Sequence, residues 1–389
     1  MLSNAVSTSP RNPGDRHQVR LSAVVMTHPR RQAQAARLAA RLAVPSVVLD
    51  PQPESSPSPL RTAVEAWRRM DADSTHHLVL QDDIDADASL LTMVAVGAAR
   101  HPRAAVAYYA NWDSRNGAAV HLAALAGASW VRAHPEDYTP SLALCLPADV
   151  GLGFATYARD ITIKNDDETM SAYLRDAGCA TYLAVPTPVE HLGDVSISDM
   201  DFQGIRRSAC HLADPEVVGL LATGNTVETI DHLPVLRVGG RSEVILNTVA
   251  GSPGVPWQDA LAHMSLTSDD VVGEWTTPQE GRKLAGWRTI ADELGVGFAF
   301  NLWVHCYLVG WQAHRIAGGL LPRPNDEHAA IRRRVRRAAV GTIGVGSIEP
   351  GQRRGVSPTL KKTLRRCAED RIRQGAQANI GMSASGHVG

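Results

Sequence analysis

Two short acidic runs and one histidine are the residues of this chain best suited to chemistry. Gln81-Asp82-Asp83 closes the apolar run Leu78-Val79-Leu80, and Asp166-Asp167-Glu168 opens a helical stretch, Met170 to Ala177, that Gly178 closes. His191-Leu192-Gly193 follows a further apolar strand. A short apolar run of this kind suits a strand buried on both faces of a parallel sheet. Two carboxylates at its carboxyl end stand where open α/β sheets bind ligands. Hard oxygen donors in that place suit Mg²⁺ or Mn²⁺ held against a diphosphate. The same pair also suits the cap of a helix expected to begin near Asp87, so the surrounding elements must decide. Acids in a helix's first turn are stabilised by the macrodipole. The functional alternative for Asp166 and Asp167 is a general base turned over the sheet edge.

The elements that would position these groups alternate. Residues 21–26, 46–49 and 77–80 read as strands, and residues 31–42 and 60–70 as helices, which is the order of a doubly wound parallel sheet. Asp50 ends the second strand, where an acid commonly holds the ribose or base of a nucleotide. The main chain at Thr27 would meet the nucleobase, and Arg30 or Arg31 could grip a diphosphate bidentately. Residues 88–100 read as a helix and 104–110 as a strand. Residues 111–117 read as a polar loop suited to an acceptor-side lid, with Trp112 beside it as a stacking platform or a core residue. Residues 142–146, 153–157 and 180–185 read as further strands. No G-x-G-x-x-G follows the first strand and no G-x-x-x-x-G-K-[ST] occurs, so neither a classical dinucleotide fold nor a P-loop is expected. Gly151/Gly153 and Gly344/Gly346 read as ordinary turns.

A chain of 389 residues exceeds one ordinary core, so more than one domain is expected. The net charge of -1 conceals an asymmetry: from residue 320 onward 14 Arg/Lys stand against 5 Asp/Glu. Five cysteines without metal spacing fit reduced thiols in a cytoplasm. Residues 1–20 lack an apolar core and read as a flexible leader, not a secretory signal. Residues 295–311 carry no formal charge, but 17 residues interrupted by Asn301 and His305 suit a buried helix better than a membrane span. Residues 213–320 read as a mainly helical accessory region shaping an acceptor side or an oligomer contact, with Trp275, Trp287 and Trp303 favoured for core packing. Residues 321–389 read as a basic tail, solvated or in peripheral contact with an anionic membrane. Its clusters carry no interleaved aromatics, so no nucleic-acid partner is expected.

Taken in order, the Gln81-Asp82-Asp83 strand end, the Asp166-Asp167-Glu168 helix start and the His191-Leu192-Gly193 loop resemble nucleotide-sugar glycosyltransferases of the A-type fold. The Leu-Gln-Asp-Asp form is similar to the Glu-Asp-Asp of the procollagen-galactosyltransferase and lipooligosaccharide-transferase group. The resemblance covers residues 21–212, about half the chain. It implies an α/β fold with a mostly parallel nucleotide-binding sheet flanked by helices, followed by the helical C-terminal region. It further implies Asp83 and His191 as ligands of Mn²⁺ or Mg²⁺, Asp82 near the ribose and a metal-bound water, and Asp167, with Asp166 second, as the base of an inverting transfer. The donor would be a UDP- or GDP-sugar. Gln81 stands where the pattern has its first acid, and Asp166 where Glu is commoner.

The residues are consistent with that chemistry, because a divalent ion stabilises charge on a departing diphosphate and a nearby carboxylate can take the acceptor proton. Two rivals follow from the same residues. One is a sugar nucleotidyltransferase, although no glycine- and lysine-rich phosphate loop follows the first strand. The other is a non-catalytic binding module whose basic tail is the working part.

Overall fold

The computed structural model of the protein describes residues 18–56, 58–161, 165–193, 204–273, 275, 284–318 and 327–385. Most of the leader therefore lies outside the described residues.

The chain begins β1 (Leu21–Thr27), α1 (Gln32–Leu42), β2 (Ser46–Leu49), α2 (Pro59–Arg68) and β3 (His76–Gln81), as the alternating pattern predicts. Helical spacing explains α1, which buries Ala35, Leu38, Ala39 and Leu42 on one stripe. Ser58 caps α2 by accepting from the Arg61 N–H, and Pro59 occupies the first helical position, where its missing N–H costs nothing. Then come β4 (Ile84–Ala86), α3 (Leu90–Arg100), β5 (Ala105–Ala107), α4 (Arg115–Ala126), β6 (Trp130–Arg132) and β7 (Ala143–Pro147). After these follow α5 (Ala148–Tyr157), α6 (Asp166–Asp176), β8 (Thr181–Ala184), β9 (Val189–His191), α7 (Val217–Thr223) and β10 (Thr226–Val227).

Eight of these strands form one sheet in the order β10-β6-β8-β5-β7-β3-β1-β2. β1, β2, β3, β5 and β8 run one way, and β7, β6 and β10 run against them. The result is an α/β fold with a large mixed sheet, mostly parallel and flanked by helices. Thr27 stands beside Leu49 and Met26 beside Gln81 in the ladder, so the carboxyl ends of β1, β2 and β3 form one rim. The amino end of β7 reaches that rim too, because Ala143 pairs with Leu80.

Several expectations are corrected. Residues 153–157 lie in the helix α5, not in a strand: Gly151, Phe154 and Ala155 recur at helical spacing and are buried. Gly151 is no turn residue, since a Cβ there would come within 2.9 Å of the Trp67 ring of α2. The polar loop ends early, at Ser114, whose Oγ accepts from the Gly117 N–H and caps α4. That helix is interior, buried from Asn116 through Ala124, so it is no lid. Gly344 and Gly346 likewise sit in a helix, and the face of Gly346 receives the Trp112 ring.

The accessory region is less helical than expected. β11 (His232–Arg237), β12 (Arg241–Leu246) and β13 (Gly254–Pro256) form an antiparallel sheet of three strands. Gly239 and Gly240, with φ of 80° and 75°, make the first turn, which residues with a Cβ rarely can. Five helices follow in close succession: α8 (Trp257–Met264), α9 (Ser268–Val272), α10 (Ala285–Leu294), α11 (Val296–Ala317) and α12 (Ala329–Gly346). The short α13 (Pro350–Arg353) and the long α14 (Pro358–Ser385) are the last of the described elements.

α11 is the buried helix anticipated from its uncharged sequence, and α4, α9, α10 and α14 all pack on it. Among the described residues no helix is long and apolar enough to cross a membrane. Trp275, Trp287 and Trp303 form one aromatic cluster with Phe300, as core packing requires. The segment read as a basic tail is folded: α12 buries Ile331, Val335 and Ile343, and α14 buries Leu360, Leu364 and Ile372. Arg333, Arg337, Lys361, Lys362 and Arg366 keep to the exposed faces of these helices. A cation run on one face had hidden an apolar stripe on the other. All five cysteines are free thiols.

A carboxylate rim as the candidate functional site

The rim is built from strand ends. Thr27, the last residue of β1, donates its hydroxyl to Asp82 Oδ2. Arg31, one turn further on, reaches across with Nη1 3.3 Å from Asp82 Oδ1 and 3.0 Å from Asp83 Oδ2. Gln34 of α1 donates to the Asp82 carbonyl at 3.0 Å. Neither aspartate opens a helix, because β4 intervenes before α3, and it is Asp87 whose Oδ1 accepts from the Ser89 N–H and hydroxyl just ahead of that helix. The bland reading of the acidic pair is thereby removed.

A short ladder brings the histidine in. β4 pairs antiparallel with β9, placing Ile84 opposite His191, and the Leu192 N–H donates to the Asp83 carbonyl at 2.8 Å. His191 Nε2 consequently lies 3.4 Å from Asp83 Oδ2. Its Nδ1 lies 3.1 Å from the Arg206 carbonyl, which can only accept, so Nδ1 carries a proton and Nε2 is directed towards Asp83. Gly193 closes the corner: a Cβ there would lie 2.8 Å from both Asp83 Oδ2 and His191 Nε2. The glycine of the His-Leu-Gly loop is demanded by space.

The second acidic run comes to the same rim through Gln81. Its side-chain amide donates to Asp166 Oδ2 at 3.2 Å and to Ser141 Oγ at 3.1 Å. Asp166 is buried, whereas Asp167 keeps partial exposure and accepts from the Glu168 N–H at 2.8 Å. The structure thus brings together Thr27, Arg31, Asp82, Asp83 and His191, with Asp166 and Asp167 joined through Gln81. Arg30 sits exposed on the turn after β1, with its main-chain N–H bonded to His28 Nδ1. Asp50 reaches the rim, its N–H bonded to the Thr27 carbonyl, but its carboxylate is engaged by Arg61 at 2.7 Å on each oxygen.

Electrostatics separate these acids. Burial works against the charge on Asp83, yet the His191 imidazole and the Arg31 guanidinium outweigh it and hold its carboxyl below the usual range. Burial pushes Asp82 up, with the Thr27 hydroxyl opposing. Burial and the neighbouring Asp167 push Asp166 up to about 6, and burial also raises Asp167. A carboxylate pair raised in this way is suited to accepting a proton near neutrality.

Asp83 Oδ1 is buried and has no hydrogen-bond partner among the described residues. A buried carboxylate oxygen left unpaired costs free energy unless something binds it. Among the described residues no group of three or more His, Cys, Asp or Glu is arranged to hold a metal by itself. The donor set is instead one carboxylate and one imidazole, which fits a Mg²⁺ or Mn²⁺ ion completing its shell with diphosphate oxygens and water.

Sequence reasoning missed Gln34, Ser141, Tyr109, Arg206 and Arg207. Tyr109 donates its hydroxyl to the Arg206 carbonyl at 3.2 Å, and Arg207 Nη1 donates to the His191 carbonyl. Only the Arg206-Arg207 pair carried a local signal, two cations close after the histidine. No family model matches the chain, and no curated protein matches it.

Proposed function

We propose that this protein is a metal-dependent, inverting glycosyltransferase of the A-type fold, moving a sugar from a UDP- or GDP-sugar to an acceptor hydroxyl. The observation that carries this reading is the β4–β9 ladder, which sets His191 Nε2 3.4 Å from an Asp83 whose second oxygen has no partner among the described residues. Asp83 and His191 would hold Mn²⁺ or Mg²⁺. When bound, the ion stabilises charge on the departing diphosphate as a Lewis acid. Arg31, with Arg30 beside it, supplies planar donors to phosphate oxygens. Asp82, tied to Thr27 and Arg31, faces the ribose side.

Asp167 takes the acceptor proton as the acceptor oxygen bonds to the sugar's anomeric carbon and the bond from that carbon to the diphosphate oxygen breaks. Asp166, sharing the site with Asp167, disfavours a second negative charge and so raises the pair's proton affinity. The free thiols are consistent with a cytoplasmic setting.

The test is a thermal-shift series with UDP and GDP, with and without Mn²⁺. Binding at one hundred times Kd stabilises by about 2.7 kcal/mol. Asp83→Asn should abolish the Mn²⁺-dependent shift. Asp167→Asn should keep the shift and lower transfer by roughly 10²–10⁴-fold. Wild-type protein that responds to no nucleotide with Mn²⁺ or Mg²⁺ would defeat the reading, and normal transfer by Asp167→Asn would defeat the base assignment.

A further inference from the structure

The segment from Gly204 to Ser208 runs along the back of His191 and grips it from several sides. The Arg206 carbonyl accepts from His191 Nδ1, Arg207 donates to the His191 carbonyl, and the Ser208 N–H donates at 2.7 Å to Glu190 Oε1. The same Glu190 oxygen accepts the His191 N–H at 2.9 Å. The other side of this segment meets the C-terminal helices. Gly204, with φ of 61°, lies so close to Pro350 that a Cβ would come within 2.9 Å of the Pro350 Cβ. Arg353, whose side chain is 0% exposed, donates to the Ile205 carbonyl at 2.8 Å.

Arg353 does more than fill space. Its guanidinium also donates to the carbonyls of Ile348 and Gly346, both at 2.8 Å, and to Asp113 Oδ2 at 2.7 Å, and it lies over the Trp112 ring. Three separate parts of the chain, the loop before α4, the 204–208 segment and the α12–α13 connection, therefore converge on one planar cation. A guanidinium holds such acceptors at fixed angles, which an ammonium cannot do. The geometry points to Arg353 as a positioning residue for His191: by holding the Ile205 carbonyl it sets the segment whose next carbonyl keeps His191 in the Nδ1-protonated form, with Nε2 turned to Asp83. Partners of this kind orient metal-binding imidazoles, and their removal typically costs on the order of 10–100-fold in metal affinity. The inference rests on the reading of His191 as a metal ligand, but the tautomer it requires is measurable without any metal.

The experiment uses the full chain with nitrogen-labelled histidine. In the wild type, nitrogen NMR should show a proton held on Nδ1 of His191, assigned by comparison with His191→Gln. Arg353→Lys keeps the charge and loses the fork. Gly204→Ala leaves Arg353 in place and pushes the segment off Pro350. Each variant should turn the single His191 tautomer into a mixture and weaken Mn²⁺ binding in the presence of UDP or GDP by about tenfold or more, read by the electron paramagnetic resonance of free Mn²⁺. Leu221→Ala, a destabilised control whose buried side chain lies outside this network, should change neither readout. Variants that melt earlier but keep the wild-type tautomer and Mn²⁺ affinity would make Arg353 a folding residue only and overturn the proposal. Failure of both variants to fold would count the same way. A wild-type chain that binds no Mn²⁺ yet shows the tautomer change in both variants would sink the glycosyltransferase reading and leave the positioning intact.

Discussion

The ends of β2 and β3 flank that of β1 on one rim, and each is followed by an acid. At the end of β2, Asp50 is closed: Arg61 takes both oxygens at 2.7 Å, and the Gln52 N–H adds a third bond at 3.0 Å. At the end of β3, Asp83 is open, since Arg31 and His191 both approach Oδ2 and leave Oδ1 buried without a partner among the described residues. The two acids look alike in sequence and differ in what the fold asks of them. A saturated ion pair stabilises the folded chain, while a partly satisfied one stores a cost that a ligand can relieve. Position on a ligand-binding rim is therefore insufficient to mark a functional acid, and unused hydrogen-bonding capacity is the better guide.

The sharpest way to break this contrast is to neutralise each acid in turn. Asp83→Asn should remove the whole Mn²⁺- and nucleotide-linked stabilisation, about 2.7 kcal/mol at one hundred times Kd, in a thermal-shift assay. If Asp50→Asn removes it equally, open and closed acids are not functionally distinct. Asp50→Asn should instead cost about 2–3 kcal/mol in urea unfolding, below the ~3–5 typical of breaking a fully buried pair because Arg61 keeps 22% exposure.

Acidity sets the closed Asp50 and the Asp166 of the second acidic run apart by sign. Burial opposes the charge on Asp50, but the Arg61 and Gln52 bonds overcome it and depress the pKa. Its stabilisation is therefore present above the unfolded value of 3.8 and lost as pH falls through the folded value. Asp166 is raised to about 6, so its contribution is complete below 3.8 and lost as pH rises through about 6. Asp166→Asn should consequently stabilise the protein at pH 7 by on the order of 2 kcal/mol, a gain that fades as the pH approaches 4. Denaturation midpoints across that range check it, and a variant equally stabilised at both ends would remove burial of the charge as the cause. The smallest effect is steric. Gly193→Ala should weaken Mn²⁺ binding about tenfold, or ~1.4 kcal/mol, with little change in melting temperature. Unaltered affinity would mean that the corner between Asp83 and His191 has slack.

How much of this could be read from the chain depends on distance along it. The first three strands and two helices were legible because each declares itself within its own residues, by an apolar run or a buried stripe. The acidic runs, the histidine and their order were legible in the same way. The β4–β9 ladder was not, since Ile84-Asp85-Ala86 and Val189-Glu190-His191 are too short to show a period and lie over a hundred residues apart. The interior position of α4 was equally hidden: Asn116 and His121 look like surface residues until Tyr138 and Ala209 supply carbonyls for them. In the C-terminal region the density of arginine masked the apolar stripes of α12 and α14, and no local feature foretold that Arg353 would be fully buried.

The sequence by itself determined the alternation of strands and helices, the acids that end β2 and β3, and the glycines and prolines that begin and end elements. Those features rest on backbone sterics and on side-chain period, which act between near neighbours. Tertiary structure alone decided that Asp50 is closed and Asp83 open, that His191 meets Asp83 rather than solvent, and that the C-terminal helices hold the segment behind it. Hydrogen-bond saturation is settled by which groups arrive from elsewhere in the chain, and that follows from packing.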